Sequence, residues 1–132
     1  MIETALVFDL EGKTICFHEP PGRTSGSIPN TRSLWDIIWE NRERIGGVAH
    51  THPWDGPAHP SITDVTTFDA IERGLGKHLL WPVVTFTEVA CVVRNPLFKE
   101  GTAMWTLAGP LTFQIEGIEE LRARSRDHRG EF

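Results

Sequence analysis

The chain has 132 residues, 39% hydrophobic and 23% charged, a composition that indicates one soluble globular domain with a single core. Its net charge of −5 argues against proteins that bind nucleic acid or an anionic membrane surface through a basic face. No apolar run could span a bilayer and no signal-peptide pattern is recognisable, so we expect a cytoplasmic protein. Cys16 and Cys91 are expected to be buried thiols rather than a disulfide.

The N-terminal part of the chain predicts a β-hairpin and a loop. Residues 4–10 and 13–17 are rich in β-formers and flank Gly12, a turn signal. Residues 20–30 contain three prolines and two glycines without any periodicity, which indicates an irregular loop.

Three helices are expected, the first two from apolar residues at helical spacing. The first begins at a Ser33-x-x-Asp36 signal and ends at Gly46-Gly47, with apolar positions at Leu34, Ile37, Ile38 and Ile45. The second is marked by Val65, Phe68, Ile71 and Leu75. The third covers residues 118–126, where the interspersed Arg122, Arg124, Arg126 and Arg129 indicate a solvated, partly frayed tail.

The remaining β-rich segments predict further strands at 47–51, 79–85, 89–93, 104–107 and 111–115. Pro82 within the second of these indicates an edge strand or a bulge. The element order predicts a single domain over residues 1–132 with a mixed β-sheet flanked by helices, of the α/β or α+β class.

Two histidines and an aspartate have spacing suited to one metal ion. Side chains alternate faces along a strand, so His50 and His52 point the same way. Ser61-x-x-Asp64 begins the next helix, where the Asp64 carboxylate can turn back toward the end of the strand. Two imidazoles and one carboxylate leave the fourth position of tetrahedral zinc open, as in catalytic sites. We therefore expect one Zn²⁺ per chain.

Each part of this pattern has another interpretation. Ser-x-x-Asp is also a helix-capping signal, and histidines on strands are often exposed or satisfied by hydrogen bonds. Capping does not require two histidines just upstream, so the combination favours a metal site. His59, between Pro57 and Pro60, is expected in the loop or at the substrate rim rather than among the ligands.

The motif H-T-H-P followed by S-x-x-D resembles the JAMM motif of the JAB/MPN (Mov34/PAD-1) metalloprotease family, and residues 55–61 resemble its prokaryotic members. The resemblance covers about residues 1–95 and leaves 96–132 as a C-terminal extension of the same domain. It implies a cytidine-deaminase-like fold and zinc-dependent hydrolysis of an amide bond.

The resemblance also implies a glutamate on an early strand as the general base, some 45 residues before the first histidine. Glu3, which lies 47 residues before His50, matches best, and Glu19 is the alternative. By the same resemblance, Ser61 would hydrogen-bond the developing oxyanion. Because only two residues precede Glu3, we expect other contacts to steady it, such as those of a partner subunit in a homo-oligomer.

The chain departs from the family pattern between its second histidine and the serine. Eight residues separate His52 from Ser61, where the family has seven, and Trp54 looks like the additional one. We expect the ligands to keep their places and the approach of substrate to change, with Trp54 and His59 at the substrate rim.

The leading expectation is a zinc-dependent metallopeptidase or isopeptidase acting on a protein or peptide, a ubiquitin-like tail being one candidate. Such a tail would bind as an added β-strand between the loop 20–30 and the Trp54 loop. The alternative is a non-catalytic JAB/MPN zinc-binding interaction module, for which loss of the base would be typical. A RadC-like DNA-associated domain shares the motif, but the acidic charge argues against nucleic acid as a partner.

Overall fold

A computed structural model describes residues 2–20, 31–98 and 104–126. Over these ranges the chain forms a six-stranded mixed sheet and three helices, which confirms the α+β class. The elements are β1 (Ala5–Asp9), β2 (Thr14–His18), α1 (Thr31–Glu40), β3 (Ile45–Thr51), α2 (Ile62–Leu75), β4 (Trp81–Val84), β5 (Val89–Arg94), β6 (Trp105–Leu107) and α3 (Ile118–Arg126). The loop predicted at 20–30 lies outside the described residues except for Pro20.

The strand order is β2-β1-β3-β4-β5-β6, and every neighbouring pair is antiparallel except β3 and β4. The predicted hairpin is confirmed, with Gly12 in its turn at a φ of 85°, which glycine adopts readily. Parallel strands need a long crossover, and α2 supplies it between β3 and β4. This crossover begins directly after the two histidines.

The two faces of the sheet are covered by different helices. Ile38 of α1 and Phe68 of α2 pack on the face that includes Val7 and Val48. Leu121 of α3 packs on the opposite face, with Leu6, Phe8 and Ala49. Because side chains alternate along β3, His50 and His52 continue the Val48 face and lie on the side of α2.

Two segments differ from the predictions. The first helix ends at Glu40 and Ile45 begins β3, because a turn over residues 41–44 interrupts the helical run before Gly46. Residues 111–115 do not form a strand. Phe113 and Gln114 lie against Gly12 of the hairpin turn instead, and the Glu116 N–H donates to the Gly12 carbonyl at 2.8 Å.

Pro82 lies in an interior strand rather than at an edge or a bulge. β4 runs between β3 and β5, and its pairing with β5 is regular. The Leu80 N–H donates to Gly46 of the segment that forms β3, so by alternation the Pro82 nitrogen also faces β3. The parallel ladder resumes at Val83. The proline is accommodated because it removes only one hydrogen bond between β4 and β3.

The arginines of α3 contact the sheet, contrary to the prediction of a frayed tail. Arg122 donates through Nε to the Thr85 carbonyl at 2.8 Å, and Arg124 forms an ion pair with Glu19. Arg129 lies outside the described residues. Cys16 and Cys91 are free thiols, and within the described ranges no helix is long and apolar enough to cross a membrane.

Candidate metal centre

The pairing of β1 with β3 positions Glu3 next to His50 and His52. Ala5 lies opposite His50 in this antiparallel pair. The Thr51 N–H donates to the Thr4 carbonyl at 3.0 Å, and the Thr4 N–H donates to Thr51 Oγ1 at 2.9 Å. Extending the same register by one step brings Glu3 opposite His52, on the face that carries both histidines.

The two histidines are buried and their rings converge. His50 is 8% exposed and His52 is 5% exposed. Their Nε2 atoms are 3.1 Å apart, and the ring planes meet edge to face at 64°. Lone pairs on both ring nitrogens would repel at this separation, so either at least one of the nitrogens carries a proton or both contact a cation.

Asp64 completes a triangle of donor atoms with the histidines. Its Oδ2 atom is 3.1 Å from His50 Nε2 and 3.0 Å from His52 Nε2. Burial alone would raise the pKa of Asp64, but hydrogen bonds from the two histidines hold that pKa well below its usual range. Asp64 is therefore a carboxylate, which suits a cation.

Asp64 takes part both in the predicted capping box and in the predicted convergence with the two histidines. The Ser61 N–H donates to Asp64 Oδ2 at 2.8 Å, and the Asp64 N–H donates to Ser61 Oγ at 3.0 Å. The oxygen fixed by the cap is the oxygen that faces the histidines. Capping and metal binding thus do not compete at Asp64, because the cap holds the carboxylate in place.

The donor triangle has dimensions close to those of a zinc site. With ligand bonds of about 2.0–2.1 Å, the ligand atoms of a tetrahedral zinc ion are about 3.3–3.4 Å apart. The separations here are 3.1, 3.1 and 3.0 Å, slightly shorter. Two imidazole nitrogens with one carboxylate oxygen are also a donor set that zinc accepts.

Glu3 lies beside the histidines, as the sequence predicts. One carboxylate oxygen of Glu3 and a ring nitrogen from each of His50 and His52 lie within 4.8 Å of one another, and this buried cluster could hold a metal ion. Burial raises the pKa of Glu3, and the nearby histidines offset part of that rise. Its carboxylate therefore binds a proton more readily than an exposed glutamate would.

Glu19, the alternative base, lies on the other face of the sheet. It follows β2, and the register with β1 turns it away from the histidines toward α3, where it pairs with Arg124. Successive side chains of a strand point to opposite faces of the sheet, so Glu19, one residue after His18, points away from the histidines. The described structure thus brings Glu3, and not Glu19, to the histidines.

The two predicted rim residues differ in how firmly they are placed. The centroid of the Trp54 ring lies 4.5 Å from that of the His52 ring, and the Trp54 side chain is partly exposed. Its backbone is fixed, since the Trp54 N–H donates to the His52 carbonyl and Phe86 N–H donates to the Trp54 carbonyl. His59 is exposed and makes no hydrogen bond or ion pair with the residues described.

One buried nitrogen near the site lacks an acceptor. His52 Nδ1 has no hydrogen-bond partner in the part of the chain that the structure describes. Metal-bound histidines usually donate this second N–H to a carbonyl or carboxylate, which fixes the ring. Here the rings of His50 and Trp54 flank the His52 imidazole instead and restrict its rotation. Their centroids lie 4.9 and 4.5 Å from the centroid of the His52 ring.

An apolar groove begins at Ser61 and runs between α2 and the edge strand β6. Its volume is about 310 Å³, and its lining carries no charged residue. Val65 and Trp105 form part of its wall, and Ile62 and Leu107 at its rim are 76% and 63% exposed. No local pattern in the sequence predicts this groove, because its two walls, at Val65 and Trp105, lie about 40 residues apart in the chain and meet only in the folded structure.

Two further residues near the site were not predicted from the sequence. Thr51 alternates with the histidines and so faces the other side of the sheet, where it bonds Thr4. Ser125 of α3 bonds Ile2, next to Glu3. The position of Thr51 between two histidines could have indicated its role. No local pattern indicates the bond between Ser125 and Ile2, which are 123 residues apart.

The comparisons with known proteins add no family assignment. No protein-family model matches the chain, and no curated protein sequence matches it. The likeness to the JAMM motif therefore depends on the motif residues and on the geometry described above.

Proposed function

We propose that the chain is a zinc-dependent peptidase or isopeptidase of the JAB/MPN type, with a cytidine-deaminase-like fold. The observation that carries this proposal is the convergence of side chains from β3, from α2 and from the segment before β1. Three donor atoms lie 3.0–3.1 Å apart, and a buried glutamate lies beside the two histidines.

In this proposal His50, His52 and Asp64 hold the zinc ion and Glu3 does not. Asp64 Oδ2 is within 3.1 Å of both ring nitrogens, whereas the Glu3 oxygen is placed only within 4.8 Å of them. Zinc with three protein ligands acidifies a water molecule and polarises a carbonyl oxygen. One ion per chain follows from one set of donors.

Glu3 acts as the general base and then as the general acid. Its carboxylate accepts a proton from the attacking water and passes it to the nitrogen of the leaving amine. The raised pKa of Glu3 supports this role, because a carboxylate with a higher pKa is a stronger base toward the attacking water and can hold the proton until it passes to the leaving amine. Its burial keeps bulk water from competing for the proton.

Ser61 stabilises the negative charge that develops on the carbonyl oxygen. Its Oγ accepts the Asp64 N–H, which leaves its own hydrogen free to be donated. A hydroxyl held by a helix cap is already oriented, so little reorganisation is needed when the charge forms.

The groove beside Ser61 takes an extended segment of the substrate next to the bond that is cut. Because its lining is apolar and uncharged, it favours a bulky apolar side chain. β6 is one of the two edge strands of the sheet in the described ranges, and it is the one beside the groove, so a substrate strand can pair with it. The groove and this edge favour a peptide or a protein tail, including a ubiquitin-like one, as the substrate.

The test combines metal analysis with hydrolysis of a library of internally quenched fluorogenic peptides that includes isopeptide-linked members. We expect about one zinc per chain and hydrolysis that a chelator abolishes and zinc restores. A protein that binds zinc but hydrolyses no member of the library would favour the non-catalytic interaction module. A protein that binds no zinc would contradict both functions.

A further inference from the structure

The residue before the proposed base is attached to the C-terminal turn of α3. The Ile2 N–H donates to the Ser125 carbonyl at 3.0 Å, and the Ser125 hydroxyl donates to the Ile2 carbonyl. Ser125 is fully buried and Ile2 is nearly so. These two bonds therefore connect the beginning of the described chain to its last helix away from solvent.

The residue after the proposed base is attached on the other side. Thr4 exchanges two hydrogen bonds with Thr51 of β3, one through the backbone and one through the threonine hydroxyl. β1 begins only at Ala5, so Glu3 precedes the regular strand. Its backbone is thus held between α3, through Ile2, and β3, through Thr4.

The same helix contacts two other strand ends near the site. Arg124 pairs with Glu19, the residue after β2. Arg122 donates to the Thr85 carbonyl, directly after β4. Together with the bonds of Ser125, these contacts attach α3 to the end of the sheet where His50 and His52 lie. We call α3 with these contacts the brace.

We propose that Ser125 is a positioning residue for Glu3, a role that rests on the proposed function in which Glu3 is the base. Its two bonds fix the Ile2 peptide and thereby direct the Glu3 carboxylate toward His50 and His52. Proton transfer depends steeply on distance, and a displacement of about 1 Å can reduce a rate by about 100-fold. The brace belongs to the same chain, so a partner subunit is not needed to steady the base.

The test uses Ser125→Ala, which removes the short hydrogen bond to the buried Ile2 carbonyl and leaves the longer one from Thr4 Oγ1, at 3.5 Å, in place. Ser125→Thr restores the hydroxyl. Asn41→Ala is the control, because it removes side-chain hydrogen bonds at the opposite end of the sheet, one to the Ile37 carbonyl at 2.8 Å and one from Arg44 Nε at 2.9 Å. All variants are compared by zinc content, by amide hydrogen exchange of residues 2–5, and by kcat and KM on the library peptide that the unmodified protein cleaves fastest.

In Ser125→Ala we expect about one zinc per chain, exchange of residues 2–5 faster by about 10-fold, and kcat lower by about 10- to 100-fold with KM within about 2-fold. Ser125→Thr should recover most of the lost kcat, and Asn41→Ala should change neither exchange at residues 2–5 nor kcat. A general loss of structure would instead release zinc and raise exchange throughout the sheet.

Unchanged exchange and unchanged kcat in Ser125→Ala would overturn the positioning role while leaving the proposed function intact. An equal fall of kcat in Asn41→Ala would overturn it as well, since the effect would then follow stability alone. If the unmodified protein cleaves nothing, the proposed function fails instead. The exchange measurement would still report the hydrogen bonds between Ser125 and Ile2.

Discussion

Ala5 lies directly opposite His50 in the antiparallel pair of β1 and β3. This pairing brings Glu3 opposite His52, because the register continues through the hydrogen bonds between Thr4 and Thr51. A shift of one residue would turn Glu3 toward α3, since successive side chains point to opposite faces. The position of the proposed base is therefore determined by strand register.

Replacing a histidine should remove the metal. In His52→Ala the donor set loses one of its two imidazoles, and we expect zinc content to fall from about one per chain to near zero after dialysis. His78→Ala is a matched control, because His78 is an exposed histidine that bonds Glu72 and lies outside the donor set. Zinc content by mass spectrometry checks this prediction, and full retention in His52→Ala would exclude the site.

Replacing the proposed base should separate metal binding from catalysis. Glu3→Gln keeps the size of the side chain but cannot accept the proton, so we expect zinc to be retained and kcat to fall by about 100-fold or more. Glu19→Gln is the control from the other face of the sheet, where Glu19 pairs with Arg124. An active Glu3→Gln together with an inactive Glu19→Gln would show that the base had been assigned to the wrong residue.

Ser61 has a structural role and a proposed chemical role that substitutions can separate. Glycine at an N-cap costs only about a few tenths of a kcal/mol, whereas alanine costs about 1 kcal/mol. Ser61→Gly should therefore keep most of the stability yet lower kcat by about 100- to 1,000-fold, because an oxyanion donor is lost. Urea unfolding and steady-state kinetics measure the two effects. A kcat that follows stability through Gly and Ala variants would leave Ser61 as a cap alone.

Local patterns in the sequence account for most of the fold and for the three residues whose donor atoms converge. Helix α2 follows from apolar spacing, and the Ser61-x-x-Asp64 signal marks both the cap and the carboxylate. The sequence predicts a first helix that is too long, because Ile45 falls on its periodicity, whereas in the structure a turn precedes Ile45 and this residue begins a buried strand. The spacing of apolar residues alone cannot show whether a single one such as Ile45 ends a helix or begins a strand.

The parts of the site that depend on distant contacts could not be predicted. The bonds between Ser125 and Ile2 join residues 123 positions apart, and the mixture of arginines and acidic residues in α3 indicates only a solvated helix. In the structure Arg122 and Arg124 do pair with Glu119 and Glu120 of the same helix. They also bond the Thr85 carbonyl and Glu19, which belong to other segments. Charge pattern predicts the pairs within the helix, but the contacts with other segments depend on how α3 packs.

Placing a charge at the rim of the groove should impair substrate binding. Leu107→Glu adds a carboxylate beside the apolar lining next to Ser61, and we expect KM for peptides with a bulky apolar residue to rise by about 10-fold or more. Leu97→Glu is the matched control, since Leu97 is 84% exposed and does not line the groove. Peptide profiling of both variants checks this prediction. Equal KM values in the two variants would place the substrate elsewhere.

Glu72 should contribute strongly to stability, although it lies outside the proposed site. Its side chain is 2% exposed, and its oxygens accept the Leu79 N–H at 3.0 Å and the Trp81 indole N–H at 2.8 Å. Arg94 donates to it through Nε at 2.9 Å. Removing the carboxylate in Glu72→Ala leaves these buried donors unpaired, so we expect a loss of about 3–5 kcal/mol in the free energy of unfolding.

The control for Glu72 is an exposed ion pair on the same helix. Arg73 pairs with Asp69 at 2.8 Å, but its side chain is 69% exposed, so Arg73→Ala should cost less than about 1 kcal/mol. Urea unfolding at fixed pH measures both variants, and Glu72→Gln should be intermediate because its amide keeps one acceptor oxygen. A Glu72→Ala protein as stable as Arg73→Ala would mean that water satisfies the donors and that α2 does not depend on this carboxylate for its attachment to β4 and β5.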